Sequence, residues 1–286
     1  MNWFFFKQQG QEALDKLYDS KEASNLLQIL AEELLPHYHK INFRDRLFEL
    51  NAKDLVLLEK GMGRLMTGEP LQYILGKAWF YDMELTINNS VLIPRPETEE
   101  LVDWIIQDWK GKEVSMLDIG SGSGCIPFSL ANNIPTAHIE AIDVSEEALQ
   151  LSQLICCELM LNVQFKCVDI LDEKQWSQIS NFDVIVSNPP YIPLNEKEKM
   201  NDNVLAHEPH LALFVDDEDP LLFYRKIASF ALKHLNPEGA LYFECNEFNA
   251  LDLKDLMQSL GFINIVIQKD LQGKNRMLKA TLDLGN

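Results

Sequence analysis

From residue 114 onward, short β-branched and aromatic runs alternate with helix-length spacers, and this alternation limits the fold more than any other feature. The runs cover 114–119, 137–142, 163–168, 182–187, 240–245, 262–268 and 277–282. Helical stretches such as 146–160 and 221–235 lie between them. A strand that returns through a helix pairs in parallel with its predecessor, so the pattern predicts an α/β fold. The expected core is a seven-stranded, Rossmann-like, mostly parallel sheet with helices on both faces. Ligands then belong at the carboxyl ends of the strands.

The front of the chain has a different texture. Residues 22–35 and 54–66 place apolar side chains three and four apart, the period of an amphipathic helix. Pro36, Gly61 and Gly68-Glu69-Pro70 punctuate them. A small helical bundle over 1–72 is expected. Two short strands, 80–87 and 91–93 around the turn Asn88-Asn89-Ser90, predict a β-hairpin linker over 73–93. The α/β domain then takes 94–286, and Pro96 with Glu97, Glu99 and Glu100 suits the positive end of its first helix.

Composition removes several classes. A hydrophobic share of 47% with 9% aromatic residues is too high for a disordered chain. No apolar run is long enough to cross a bilayer, and no basic segment precedes the short cluster 3–6. The five cysteines (125, 156, 157, 167 and 245) match no zinc spacing and no disulfide framework, so they are expected to be small buried hydrophobes in a reducing cytoplasm, with no metal bound. A formal charge of -19 argues against a broad basic surface for gripping nucleic acid. Nothing points to an oligomer, and a monomer is expected.

The first run of the α/β region ends in Gly120-Ser121-Gly122-Ser123-Gly124. Glycines there let the backbone turn sharply and approach a ligand without a Cβ in the way. The nicotinamide fingerprint needs its third glycine three residues after the second, where this chain has Cys125. Asp143, at the tip of the second strand, is placed to accept hydrogen bonds from both ribose hydroxyls of a nucleoside. Asp169, after the third strand, is a candidate partner for an adenine amino group. With no lysine or arginine beside the loop, S-adenosylmethionine fits these residues better than a phosphate-bearing cofactor.

Asn188-Pro189-Pro190-Tyr191 follows the fourth strand and indicates the chemistry. A planar amide or aromatic amino nitrogen is a poor nucleophile because its lone pair is shared with the π system. The Asn188 side-chain oxygen and the Pro189 carbonyl can each accept one of its two hydrogens, which aims the lone pair at a sulfonium methyl. Consecutive prolines hold that carbonyl in place before reaction. Tyr191 offers a flat face for the planar group. Asn188, Pro189 and Tyr191 are therefore the expected catalytic residues, and transfer is dominated by positioning.

These segments, with Leu71-Gln72-Tyr73-Ile74-Leu75-Gly76 and Val91-Leu92-Ile93-Pro94-Arg95-Pro96-Glu97-Thr98-Glu99, resemble the release-factor glutamine methyltransferases, the PrmC/HemK group. His207-Glu208-Pro209 and Asp270 to Arg276 extend the resemblance over roughly residues 70 to 280. It implies methylation, by S-adenosylmethionine, of the glutamine N5 in the Gly-Gly-Gln motif of peptide-chain release factors, tuning translation termination, with S-adenosylhomocysteine as the product. By matching position, Gly120 to Gly124, Asp143 and Ile170 would hold the cofactor, alongside Asp169 and Asn188. Asn188 to Tyr191, with Arg95 and Glu97, would hold the substrate, and the helical front domain would help to grip the release factor. The acidic segment 216–219 replaces the glycine-rich turn usual in the family and reads as a solvated turn. The alternative is a nucleic-acid enzyme acting on adenine N6 or guanine N2, which share the tetrapeptide chemistry.

Overall fold

The computed structural model describes residues 1–283. Its helices are α1 (Trp3–Leu14), α2 (Ser20–Leu34), α3 (Ala52–Leu65), α4 (Leu71–Leu75), α5 (Pro96–Trp109), α6 (Cys125–Asn133), α7 (Glu146–Glu158), α8 (Asp202–His207), α9 (Leu222–His234) and α10 (Ala250–Ser259). Its strands are β1 (Lys77–Phe80), β2 (Met83–Thr86), β3 (Ser115–Ile119), β4 (His138–Asp143), β5 (Val163–Cys167), β6 (Phe182–Ser187), β7 (Ile192–Pro193), β8 (Phe214–Val215), β9 (Leu235–Glu244), β10 (Phe262–Lys269) and β11 (Asn275–Leu282). They form two compact units. Met1–Lys77 with Met200–Glu208 makes the first, and Ala78–Lys199 with the chain from Pro209 onward makes the second.

In the first unit, Asn2, Asp19 and Asn51 cap α1, α2 and α3, each accepting from backbone N–H groups of the first turn. The apolar stripes meet in a core of Trp3, Phe6, Leu14, Leu27, Leu30, Leu58 and Leu65. Gly61 is not a break as the sequence suggests. It lies inside α3, where an added Cβ would come within 2.9 Å of Leu30; its role is close helix packing. Arg64 closes the unit by donating to Glu69 and to the carbonyls of Tyr73 and Ile74. Met200–Glu208 belongs here although it is distant in sequence. Asn203 donates to the Tyr18 hydroxyl (3.3 Å), and the His207 ring meets the Thr67 carbonyl (3.2 Å).

In the second unit a hairpin forms earlier than the sequence suggests. β1 and β2 pair around Tyr81 and Asp82, whose φ values of 45° and 63° are those of a two-residue primed turn. No Asn-Gly signal announces it. Residues 91–93 form no strand; Val91 and Ile93 are buried and line a cavity. The main sheet has seven strands in the order β10-β11-β9-β6-β3-β4-β5. β9, β6, β3, β4 and β5 are parallel, and β11 runs antiparallel between β9 and β10. The central strands are apolar on both faces, as a sheet covered by helices on each side requires. The chain reverses its direction of winding at β3, between β4 and β6, which opens a crevice at their carboxyl ends.

The cysteines are not all buried as expected. Cys125, Cys156 and Cys245 are buried, but Cys157 and Cys167 are exposed. Cys157 follows a buried neighbour around α7, and Cys167 ends the edge strand β5. The acidic segment is the solvated turn expected, with Asp216, Asp217 and Glu218 exposed; it is also tied, since Asp219 forms a two-point pair with Arg225 (2.8 Å each) and Asp217 accepts from the Asn195 N–H. No helix among the described residues is long and apolar enough to cross a membrane.

Candidate active site

The crevice is lined by the ends of β3, β4 and β6, by the segment before α5, and by residues around Pro209 to Ala212. It holds ≈ 1180 Å³ of free space, part of it open to solvent. The floor is set by the glycine loop. The Gly120 and Ser121 N–H groups both donate to the Ile142 carbonyl (2.8 and 3.1 Å), which locks the loop against β4. Gly120, Gly122 and Gly124 have φ values of 76°, 50° and 77°. Their duties differ. A Cβ at Gly120 or Gly122 would meet no protein atom within 4 Å, and both residues line the cavity. One at Gly124 would overlap the Phe128 ring, and Gly124 is not in the lining.

Asp143 is held where β4 ends. Its carboxylate accepts from the Gly122 N–H (2.8 Å) and the Ser145 N–H (2.9 Å). Burial pushes its pKa up, while those backbone donors pull it down. Ser145, not Asp143, caps α7, its hydroxyl oxygen accepting from the Ala148 N–H at 3.1 Å. Asp169 accepts from the Leu171 N–H at 2.9 Å, and Ile170 is buried beside it. All three residues line the same cavity as the glycine loop.

Asn188, Pro189 and Pro190 form the opposite wall, with Arg95 nearby in the lining. Ser187 ties the end of β6 to that of β3 by donating to the Ile119 carbonyl (2.7 Å). The Asn188 Nδ2 donates to the Thr98 hydroxyl (3.2 Å), and Thr98 donates to a Glu244 carboxylate oxygen (2.6 Å). The Tyr191 hydroxyl makes a long contact of 3.5 Å with the other Glu244 oxygen. Tyr191 packs against the main core, and neither it nor Glu97 is in the cavity lining. Burial raises the Glu244 carboxyl to about 7, against the pull of Thr98 and Arg276.

Thr98 and Glu244 were given no role by the sequence, although Thr98 stands in the Pro94-Arg95-Pro96-Glu97-Thr98 segment. Asp118 likewise has no motif to mark it. Its carboxylate is buried beneath the loop, with neither oxygen hydrogen-bonded among the described residues, and burial drives its pKa well up. The Ser121 hydroxyl, in the cavity wall, is likewise buried without a partner. A buried hydroxyl without a bond is costly unless a ligand supplies one. Together with the two glycines that would fill the cavity if they bore side chains, this suits S-adenosylmethionine: open backbone for close approach, an orphan polar atom, and a carboxylate at Asp143. Among the described residues, no group of three or more His, Cys, Asp or Glu is arranged to hold a metal ion.

Comparison with known proteins agrees with this geometry. Residues 98–210 match the family described as methyltransferase small domain. The release factor glutamine methyltransferase of Flavobacterium psychrophilum is 40% identical over 283 residues, covering 96% of this chain and 97% of the relative. That of Bacteroides thetaiotaomicron is 39% identical over 277 residues, covering 94% and 96%. Among solved structures, a methyltransferase from Pyrococcus furiosus superimposes with a TM-score of 0.51 at 17% identity, covering 78% of this chain and 98% of that one; it shows the fold.

Proposed function

We infer what this chain does from the family to which it belongs, the release factor glutamine methyltransferases. It is an S-adenosylmethionine-dependent methyltransferase, and its substrate is the side-chain amide (N5) of the glutamine in the Gly-Gly-Gln motif of peptide-chain release factors. S-adenosylmethionine supplies an electrophilic methyl on a positively charged sulfur. In the transfer an N–C bond forms, the S–C bond breaks, and the amide nitrogen gives up one proton to solvent.

The observation that carries this reading is the commitment of the Asn188 Nδ2 to Thr98. An amide that donates on one branch offers its oxygen on the other, so Asn188 Oδ1 is the atom to accept an N–H from the substrate. The Pro189 carbonyl accepts the second, and Pro190 fixes that carbonyl beforehand. Acceptors already in place need not reorganise during reaction. Gly120 to Ser123 and Asp143 hold the donor, with Asp169 and Ile170 about its adenine. Arg95 and Glu97 flank the substrate, and Tyr191 braces the tetrapeptide. The helical unit grips the release factor. The protein works in the cytoplasm, where its substrate operates, and as a monomer without contact to nucleic acid.

The test is methyl transfer from labelled S-adenosylmethionine to a release factor and to the same factor with its motif glutamine changed to alanine. Label on the first alone supports the reading. Label on both, on neither, or on added RNA or DNA instead would overturn it.

A further inference from the structure

We propose that Thr98 and Glu244 are positioning residues of the methyl-transfer site, which together hold the Asn188 amide with its oxygen turned toward the substrate. This rests on the role for Asn188 given above. Both residues are almost without solvent contact, at 2% and 1% exposure, so no water can take over their bonds. They are 146 residues apart in the chain, and α5 and the end of β9 bring them together.

The direction of the chain of bonds is what matters. Thr98 has one hydroxyl proton. With Glu244 ionised, that proton goes to the carboxylate at 2.6 Å, and the Thr98 oxygen must then accept from the Asn188 Nδ2 at 3.2 Å. The amide is held in one orientation, oxygen outward. With Glu244 protonated, its own proton can go to Thr98, whose hydroxyl then donates to Asn188. That calls the Asn188 oxygen inward and turns an NH2 group outward, where it faces the substrate's N–H groups with no acceptor between them.

The groups about Glu244 set where this reversal falls. From β11, Arg276 favours the ionised form, itself tied to Asp270 at 3.2 Å. From α5, Glu97 opposes it. Tyr191, Tyr224 from α9, Cys125 from α6 and Cys245 on the same strand all sense the carboxylate, and burial raises each of them, the two thiols to about 12, so all four are neutral at physiological pH. The Arg95 charge favours ionisation of Tyr191 and that of Glu97 opposes it, both weaker than the effect of burial. Tyr224 also anchors the strand end by donating to the Glu244 main-chain carbonyl (3.0 Å). With these neighbours, Glu244 changes ionisation at about 7.

The experiment compares the full chain with Thr98→Val, Thr98→Ser and Glu244→Gln, measuring kcat and KM on either side of pH 7 and recording the Asn188 side-chain NH2 signals by NMR after selective 15N-asparagine labelling. Activity of the unaltered protein should rise with pH to a plateau above 7. Thr98→Val should lower kcat about tenfold, the loss of one orienting hydrogen bond, and leave KM for S-adenosylmethionine unchanged. Thr98→Ser should restore kcat, and Glu244→Gln should abolish the acid limb. The Asn188 NH2 signals should titrate in the unaltered protein and not in Glu244→Gln. Thr98→Val with undiminished kcat, an acid limb that survives Glu244→Gln, or an Asn188 signal indifferent to pH would each overturn the proposal. A titrating Asn188 signal in a protein that methylates no release factor would support the positioning and refute the substrate instead.

Discussion

The loop glycines separate into two kinds, and substitution by alanine should tell them apart. Gly122→Ala places a methyl group in open space within the cavity, at a φ of 50°. Its cost to folding is the left-handed backbone alone, about 1–2 kcal/mol. Gly124→Ala has the same backbone cost at 77°, and its methyl also overlaps the Phe128 ring at the start of α6. Phe128 is fully buried and cannot swing away, so an overpacking cost of about 1–3 kcal/mol adds to the first. The total is about 2–5 kcal/mol. At about 2–4 °C per kcal/mol for a unit of this size, Gly124→Ala should lower Tm by roughly 4–20 °C and Gly122→Ala by roughly 2–8 °C, the former always the larger. Calorimetric titration with S-adenosylmethionine should give the opposite ranking. Gly122→Ala should lose at least tenfold in affinity, because the added methyl takes space meant for the ligand, while folded Gly124→Ala binds nearly as well as the parent. Equal Tm losses, or undiminished binding by Gly122→Ala, would refute this division of labour.

Three further outcomes follow from the site. Asn188→Ala should lower kcat by about 10²–10³-fold with little change in S-adenosylmethionine affinity, since it removes one preorganised acceptor of the transition state; single-turnover rates with binding titrations check this. Asp143→Ala should weaken cofactor binding and cost about 1–3 kcal/mol in urea unfolding, because the Gly122 and Ser145 N–H groups lose their shared acceptor. Glu244 should make the fold less stable as pH rises. Its folded pKa of about 7 exceeds the unfolded value of 4.5, so the native state binds more protons between the two. The favourable contribution is complete below 4.5 and is lost as pH rises through 7, an effect of order 3 kcal/mol. Unfolding of Glu244→Gln at a series of pH values should therefore show a stability advantage over the parent that grows up to about pH 7 and is absent in acid; a constant difference would contradict it.

Much of the sheet is legible in the sequence because its central parallel strands, β3 and β6, are buried on both faces and so read as mostly apolar runs. β6 begins and ends where its residues say it should. β9 is harder, since it starts at Leu235 through Asn236, Pro237 and Glu238, which read as a turn. The hairpin is misread for a related reason. Tyr81 and Asp82 adopt positive φ with none of the usual glycine or asparagine to mark it. Local rules fail most where the chain depends on distant partners. Nothing near Met200–Glu208 tells that its contacts are with Tyr18 and Thr67. Nothing near Glu244 tells that it ends beneath Asn188, with a threonine from the start of α5 between them. Loop glycines and Asp143 are legible because their chemistry is local to one strand end. The support behind Asn188 is assembled from three separate segments, and only the folded chain brings it together.

The central claim is that the methyl group ends on an amide nitrogen. It is tested most directly by treating a release factor with this protein and S-adenosylmethionine, isolating the peptide that holds the motif glutamine, and hydrolysing it in acid. An N5-methylated glutamine releases its methyl as methylamine, and this product should appear with the active protein and vanish with Asn188→Ala. A methyl group still carried by an amino acid after hydrolysis, or methylamine formed equally by Asn188→Ala, would contradict the account.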